Sequence, residues 1–167
     1  MFGTKEMHFL FSDESTTQIY LDVEAALARS QSKLNIIPKE AGEKITQAAK
    51  VDIIDWKKLE KRTSIVGYPI LPLVEQLSEK VEGNFGQFCH WGATTQDIMD
   101  TADILQIRKG LELLSKDLKS ISDALEKIVE YHIKTPMAGR THLQHALPIS
   151  FGYKASTWLS GIDRHHK

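Results

Sequence analysis

Cysteine is nearly missing from this chain of 167 residues, and long apolar runs are missing altogether. The single cysteine, Cys89, excludes an intramolecular disulfide and suits a reducing compartment, so we expect a cytoplasmic protein. No stretch approaches the ~20 consecutive apolar residues that a membrane span needs. Residues 1–14 lack the cationic start and the small-residue cleavage site of a secretory signal. The sequence therefore predicts no membrane partner.

An excess of charge of either sign is also missing. The chain carries 21 basic and 22 acidic side chains, for a net charge of -1, without a basic block. Proteins that bind nucleic acid carry a basic patch, so we predict no nucleic-acid partner. Hydrophobic residues make up 41% of the chain and charged residues 26%, which is typical of a globular protein.

Signals for β-strands are scarce, since no alternating pattern is flanked by hairpin turns, whereas helical signals follow one another. We therefore predict an all-α fold. Ser12 or Asp13 would cap a first helix that reaches about Asn35. Its apolar face would consist of Ile19, Val23, Ala26, Leu27 and Leu34. Further helices are predicted from Pro38 to Lys50, after an Asp52 cap, and from Leu71 to Lys80, with residues 82–92 as a loop.

The strongest helical signal lies between Thr94 and Thr135, where no proline occurs. Apolar residues there recur at alternating spacings of three and four, which predicts one continuous seam on a helix about 55–60 Å long. The seam consists of Ile104, Ile107, Leu111, Leu114, Leu118, Ile121, Leu125 and Ile128. Such a seam must be buried against other helices, and the short preceding helices cover only part of its length. We therefore expect a helical bundle formed by an oligomer.

The sequence after the long helix contains two prolines that bound a polar segment. Pro136 ends the helix, residues 137–147 are predicted to form a loop, and Pro148 would open a last helix. The sequence ends on His165, His166 and Lys167 without a Gly or Pro as a stop signal, so we expect it to be cut inside that helix. The alternative is a natural end whose basic last turn suits the helix dipole.

The first segment suited to chemistry is His90–Asp97, where a glycine loop meets the start of the long helix. The start of a helix has unpaired N–H groups and a positive dipole end, so it can bind carboxylates and phosphates. Thr94, Thr95 and Gln96 add side-chain donors at that end. The purely structural interpretation is an N-cap by one of the threonines, with Asp97 complementing the dipole.

The second such segment is Thr135–Pro148, which holds an arginine, a threonine and two histidines between its prolines. A pinned loop of this kind is suited to position a general acid, and histidine titrates near neutrality. His142 and His145 are three residues apart, so a metal pair is an alternative. Neither cysteine nor a carboxylate cluster accompanies them, and we predict no metal. A further alternative is that both are surface or capping histidines.

The segments HWGATTQDIMDTA, from His90, and TPMAGRTHLQHALP, from Thr135, resemble the first two signature blocks of the fumarase/aspartase superfamily. The form is that of adenylosuccinate lyases and 3-carboxy-cis,cis-muconate cycloisomerases. Supporting resemblance runs through Phe11–Pro38 and through Gly67–Leu77, so that it covers nearly the whole chain in order. It implies an N-terminal helical domain over 1–93, followed by the beginning of a long-helix bundle over 94–167. It also implies a homotetramer.

Members of this superfamily eliminate or add across a carbon–carbon bond beside a carboxylate, without a cofactor. By resemblance, Thr94, Thr95 and Gln96 would hold a substrate carboxylate, and His90 and Thr141 would be further substrate contacts. His142 matches the histidine to which the general-acid role is commonly given. The third signature block, of the GSSxMPxKxNP type with the serine base, does not occur in this sequence. We therefore expect this chain to be inactive in isolation.

The resemblance leaves the substrate open. Ala93, Gln96 and the wording GRTHLQHALPISFG are closer to the muconate cycloisomerase branch, so we expect part of a cycloisomerase-like lyase that acts on a polycarboxylic acid. An adenylosuccinate lyase-like enzyme of purine synthesis is an alternative, although Tyr68 stands where those enzymes usually have a histidine. Another alternative is a truncated, non-catalytic homologue that acts through oligomerisation.

Overall fold

The computed structural model describes residues 2–166, which form seven α-helices and one two-stranded sheet. The helices are α1 (Lys5–Leu10), α2 (Asp13–Lys33), α3 (Lys39–Ala48), α4 (Trp56–Val66), α5 (Ile70–Lys80), α6 (Thr95–Tyr131) and α7 (Phe151–His166). The strands are β1 (Pro136–Thr141) and β2 (Gln144–Ser150). The prediction of an all-α fold is confirmed, with one small sheet added. Lys167, the predicted cut end, lies outside the described residues.

The chain divides into two compact units, one ending at Gly110 and the other beginning at Leu111. The division falls inside α6, so that the first unit contains α1 to α5 and the start of α6. The second unit contains the rest of α6, the hairpin and α7. The domain boundary between residues 93 and 94 stays a prediction.

Side-chain caps define where two helices of the first unit begin. The Ser12 hydroxyl accepts a hydrogen bond from the Ser15 N–H at the start of α2, which confirms the first predicted cap. The Asp52 cap was wrong, because Asp52 lies in a short 3-10 helix over Val51–Ile53. The carboxylate three residues later, that of Asp55, accepts from the Lys58 N–H and caps α4.

The core of the first unit lies between α2, α3, α5 and the start of α6. Its fully buried apolar side chains are Leu21, Ala41, Ile45, Ile70, Leu73, Leu77 and Ala102, with Ile98 nearly as buried. Burying a Leu or Ile side chain contributes about 1.5–3 kcal/mol, so these side chains stabilise the packing of the four helices. This cluster also anchors the start of α6, because Ile98 and Ala102, which belong to the cluster, follow directly on the first turn of that helix.

The predicted apolar face of α2 was partly wrong. Ile19 is buried, but Ala26 is exposed and the side chain of Leu34 is 70% exposed. The stripe that is buried contains Thr17, Tyr20, Leu21, Glu24, Ala25, Ala28 and Ser32. Its small residues permit a close approach of α3: a Cβ on Gly42 would lie only 2.1 Å from the Ser32 hydroxyl. Hydropathy does not single out a stripe made of small and polar side chains.

The long helix α6 has 37 residues, as its uninterrupted apolar pattern predicted. In the first unit it buries Ile98, Ala102 and Gln106, which do not belong to the predicted seam. The seam itself is largely uncovered, with Ile104 64% and Leu111 59% exposed. The described chain therefore leaves this apolar stripe on its surface.

The predicted loop over residues 137–147 was wrong, because it forms the antiparallel hairpin β1–β2. Pro148 pairs with Ala138 inside the hairpin and does not open α7, which begins at Phe151. A register shift lies between Ala138 and Arg140, and a Cβ on Gly139 would meet the Leu147 carbonyl oxygen at 2.5 Å. Five of the seven residues of β2 are exposed, so this strand has no buried face that would require alternating apolar residues. Its composition is therefore as polar as that of a loop.

In the second unit, α7 packs closely against the end of α6. The Gly152 N–H donates to the His132 carbonyl oxygen at 2.9 Å, and the Phe151 N–H donates to that of Thr135 at 2.8 Å. Farther along, the Ser122 hydroxyl donates to Asp163 at 2.7 Å. A Cβ on Gly152 would lie 2.8 Å from both the Ile133 Cα and the Val129 carbonyl oxygen. This position therefore requires glycine for its lack of a side chain.

Gly152→Ala should lower the free energy of unfolding by about 1–3 kcal/mol, because the added methyl group meets backbone atoms that cannot rotate away. The matched control is Gly161→Ala in the same helix, where the nearest atom lies 3.9 Å away on the flexible Arg164 side chain. There alanine should be neutral or stabilise by about 0.5–1 kcal/mol. Urea unfolding followed by circular dichroism measures both; equal effects would contradict the close approach.

Candidate active site

The start of α6 is the first part of the candidate site. The Thr94 N–H donates to the Asp97 carboxylate at 2.9 Å, and the Asp97 N–H donates to the Thr94 carbonyl oxygen at 3.1 Å. This reciprocal pair closes the first turn. It places the Asp97 carboxylate at the positive end of the helix, as the prediction that Asp97 complements the dipole required. Capping therefore accounts for Thr94 and Asp97 but not for the two residues between them.

Thr95 and Gln96 keep their backbone N–H groups unpaired. Among the described residues, neither N–H has a hydrogen-bond acceptor. Gly92, with φ 71°, lies just before this turn, and no atom lies within 4 Å of where its Cβ would stand. An open surface thus adjoins two free donors at the positive end of a 37-residue helix, where an anion is stabilised.

The Gln96 side chain does not yet contribute to that surface. Its amide Nε2 donates to the Asp100 carboxylate one turn along the helix. Gln96 is exposed, so a change of rotamer toward the helix start costs little. Thr95 is half-buried beside it and needs no such change.

His90 lies in the loop before α6 and contacts a buried carboxylate of α2. Its Nδ1 lies 2.6 Å from Oε1 of Glu24. The His90 side chain is 19% exposed, and the Glu24 side chain is 1% exposed. His90 also has φ 57°, in the left-handed region that a residue with a side chain rarely adopts.

Burial has a measurable consequence for Glu24. Loss of solvent raises the pKa of the Glu24 carboxyl, and the hydrogen bond and charge of His90 oppose that rise. Burial likewise raises the pKa of the Cys89 thiol, while a hydrogen bond with Ser78 lowers it and Glu24 raises it further. A raised thiol pKa disfavours the thiolate, so Cys89 is unsuited to act as a nucleophile.

The second part of the candidate site is the hairpin turn. Thr141 ends β1 and pairs with Gln144, and His142 and Leu143 form the two-residue turn between the strands. Leu143 has φ 59°, and both Thr141 and His142 are exposed. His145 follows in β2 opposite Arg140. The turn holds His142 at the end of a paired ribbon and not in a free loop.

The structure thus places the predicted residues in two groups. His90, Thr94, Thr95 and Gln96 share one loop–helix junction in the first unit, and Thr141 and His142 lie on the hairpin of the second unit. Across the part of the chain that the structure describes, no three His, Cys, Asp or Glu side chains are grouped as a metal site requires. None of the helices within residues 2–166 is long and apolar enough to cross a membrane.

Comparison with known proteins decides the family. The model of the family described as Lyase matches residues 3–167. This chain belongs to the fumarase/aspartase superfamily of lyases. The resemblance carried by its two signature segments is therefore confirmed.

Three relatives illustrate the range of this superfamily. Trans-aconitate decarboxylase 1 of Mycosarcoma maydis is 44% identical over 167 residues, which cover 100% of this chain and 34% of that protein. The crystal structure of a fumarate lyase from Mesorhizobium sp. BNC1 is similar with a TM-score of 0.92 at 52% identity, covering 99% of this chain and 40% of the other. For the beta-carboxy-cis,cis-muconate cycloisomerase of Acinetobacter calcoaceticus sp. ADP1, the TM-score is 0.95 at 34% identity, and 99% and 39% are covered. This chain thus spans little more than a third of the length of these lyases.

Sequence reasoning missed two polar residues that hold the junction, Glu24 and Gln31. The Gln31 amide Nε2 donates to the Trp91 carbonyl oxygen at 2.7 Å, one residue after the Glu24 contact with His90. A signal for Glu24 existed: it lies four residues after Tyr20 and four before Ala28, inside the buried stripe of α2. Because the predicted face of α2 was centred elsewhere, Glu24 was not recognised as a buried carboxylate.

The raised pKa of Glu24 predicts how its removal changes stability with pH. A carboxyl whose pKa rises on folding favours the folded state below its unfolded-state pKa of about 4.3, and that contribution is lost as the pH rises through the folded-state value. The unfolding free energy of Glu24→Gln minus that of wild type should therefore be more positive at pH 7 than at pH 4. Urea unfolding at both values measures this.

Glu75→Gln is the control with the opposite sign. The hydrogen bond from Arg62 lowers the pKa of the Glu75 carboxyl, so its contribution is present above the unfolded-state pKa and is lost as the pH falls. Relative to wild type, this variant should lose more stability at pH 7 than at pH 4. The same sign for both variants would contradict the assigned origin of the Glu24 effect.

Proposed function

We propose that this chain is part of a lyase or cycloisomerase that eliminates or adds across a carbon–carbon bond beside a carboxylate of a polycarboxylic acid. The observation that supports this most is the start of α6. There, two unpaired backbone N–H groups, at Thr95 and Gln96, adjoin the open surface beside Gly92. A carboxylate bound at that point would accept from both donors and from the threonine hydroxyls.

Binding of a carboxylate there would also favour the chemistry. When a base removes the proton on the carbon next to a carboxylate, the electron pair moves onto the carboxylate oxygens. Preorganised donors stabilise that developing dianion more than they stabilise the ground state, which lowers the barrier. The N–H groups of Thr95 and Gln96 are directed by the helix and do not have to reorganise during the reaction.

The leaving group then needs a proton, and His142 is the proposed general acid. Its place in a two-residue turn between paired strands restricts its backbone, while the exposed ring stays accessible. Thr141 and His90 are proposed as further substrate contacts. The serine base would have to be supplied by sequence other than these residues.

The names of two relatives support a proposal for the substrate class. Their names specify trans-aconitate and carboxymuconate, and both compounds are unsaturated acids with three carboxylates. We propose a substrate of this kind.

We further propose a cytoplasmic homotetramer, in which the exposed seam of α6 is covered by the same seam of other copies. An apolar stripe of this length is rarely left in water.

The test is an assay of the native protein that contains this chain. Turnover is measured by ultraviolet absorbance with carboxymuconate, trans-aconitate, adenylosuccinate, argininosuccinate and fumarate. We expect turnover of an acid with three carboxylates. Preference for adenylosuccinate would favour the purine-synthesis alternative, and no turnover or binding of any acid would favour a non-catalytic homologue.

His142→Ala in that protein should lower turnover by roughly 10²–10⁴-fold if the imidazole protonates the leaving group. His145→Ala is the matched control, since it removes an exposed histidine from the same hairpin, three residues away. The control should keep turnover within about 3-fold of wild type. Unchanged turnover in His142→Ala would remove this residue from the mechanism.

A further inference from the structure

The contact between Glu24 and His90 is unusual for its burial and for the short distance between its two polar atoms. The carboxylate projects from the middle of α2 into the core side of the unit, where 1% of its side chain is exposed. Oε1 lies 2.6 Å from Nδ1 of His90, which is the length of a strong, charge-assisted hydrogen bond. With the carboxylate ionised, Nδ1 must carry the proton that it donates to Oε1.

The second oxygen of Glu24, Oε2, is buried and has no hydrogen-bond partner among the described residues. A buried acceptor without a donor costs free energy in the folded state. Within residues 2–166, the hydrogen bond that the Glu24 side chain makes is the one with His90. The effect of this carboxylate therefore falls on that ring.

Hydrogen bonds from α2 and within the loop also hold the backbone around His90. The Gln31 amide Nε2 donates to the Trp91 carbonyl oxygen at 2.7 Å, and the Ala93 N–H donates to the His90 carbonyl oxygen at 3.4 Å. His90 keeps its left-handed φ of 57° within these contacts. Backbone strain persists only where surrounding contacts determine it, and such strain concentrates at functional positions. Two residues of α2, seven positions apart, thus direct one loop.

We propose that Glu24 is a positioning residue that keeps the Nδ1 proton on His90 and leaves Nε2 as the nitrogen that meets the substrate. This inference rests on the proposed function, in which His90 is a substrate contact. Among residues 2–166, Nε2 of His90 has no hydrogen-bond partner. Since Nδ1 stays protonated in both charge states, every gain or loss of a proton by the ring occurs at Nε2. That atom donates to a substrate carboxylate when protonated and accepts a proton when it is not.

The direct test reads the tautomer in this chain without any substrate. Long-range ¹H–¹⁵N correlation of histidine-labelled chain, recorded at a pH where the ring is neutral, separates Nδ1–H from Nε2–H. The signal of His90 is identified by its loss in His90→Gln. We expect Nδ1–H in wild type. Glu24→Leu, which has no acceptor, and Glu24→Gln, whose amide can donate to Nδ1, should both lose the pure Nδ1–H state.

Two further readouts separate positioning from a structural role. Glu24→Leu should lower the Tm, because it leaves the Nδ1–H of His90 without an acceptor, so every variant is compared with wild type at a temperature well below its own Tm. Gln31→Ala is the matched control: it removes the other contact of α2 with this loop and should keep the Nδ1–H tautomer. In the native protein, Glu24→Gln should lower kcat/KM by roughly 10–100-fold, the range found when a carboxylate that orients a metal-bound histidine is lost.

The possible results are distinguishable. Wild-type His90 in the Nε2–H form, or an unchanged tautomer in both Glu24 variants, would overturn the positioning role. So would a changed tautomer with unchanged turnover. If wild-type His90 carries its proton on Nδ1 but the native protein turns over no carboxylic acid, the proposed function is overturned instead. The effect of Glu24 on the position of the ring proton would still be supported.

Discussion

The hydrogen bond between Glu24 and His90 joins the core of the first unit to its candidate site. On one side is the buried stripe of α2, whose small residues bring α3 close. On the other side is the loop that leads into α6 and places Thr95 and Gln96 at its first turn. A shift of α2 would therefore move the ring of His90 and the loop behind it. The packing of the unit and the geometry of the site depend on the same helix.

The candidate site also contains features that lower the stability of the fold. Glu24 has a buried oxygen without a partner, and His90 and Leu143 adopt left-handed backbone conformations without being glycine. Each of these features costs free energy in the folded state. His90 and Leu143 lie in the two segments that carry the superfamily signatures, and Glu24 contacts the first of these segments from α2. Asn35 adopts a left-handed conformation outside both segments. Where such costs persist, the surrounding contacts determine them.

Much of the fold was predictable because its signals are local. The apolar spacing and lack of proline predicted α6, and Ser12 predicted the start of α2. The hairpin was not predictable in this way, since β2 is mostly exposed and its pairing depends on a bulge at Gly139. The cap of α4 was misplaced by three residues because Asp52 and Asp55 are equally good caps, and only packing selects between them. The seam of α6 was predicted, but not that a different face, with Ile98 and Ala102, enters the core.

The sequence by itself determined the class of the fold, the family and the identity of the candidate residues. Helical periodicity and signature motifs are local patterns, in which the residues concerned lie only a few positions apart. Which donors at the start of α6 are free is also a local matter, since Asp97 pairs with Thr94 three positions earlier and leaves the N–H groups of Thr95 and Gln96 unpaired. The tertiary structure alone decided the partner of His90. Glu24 lies 66 positions away along the chain, and a contact of that separation exists only after the helices have packed.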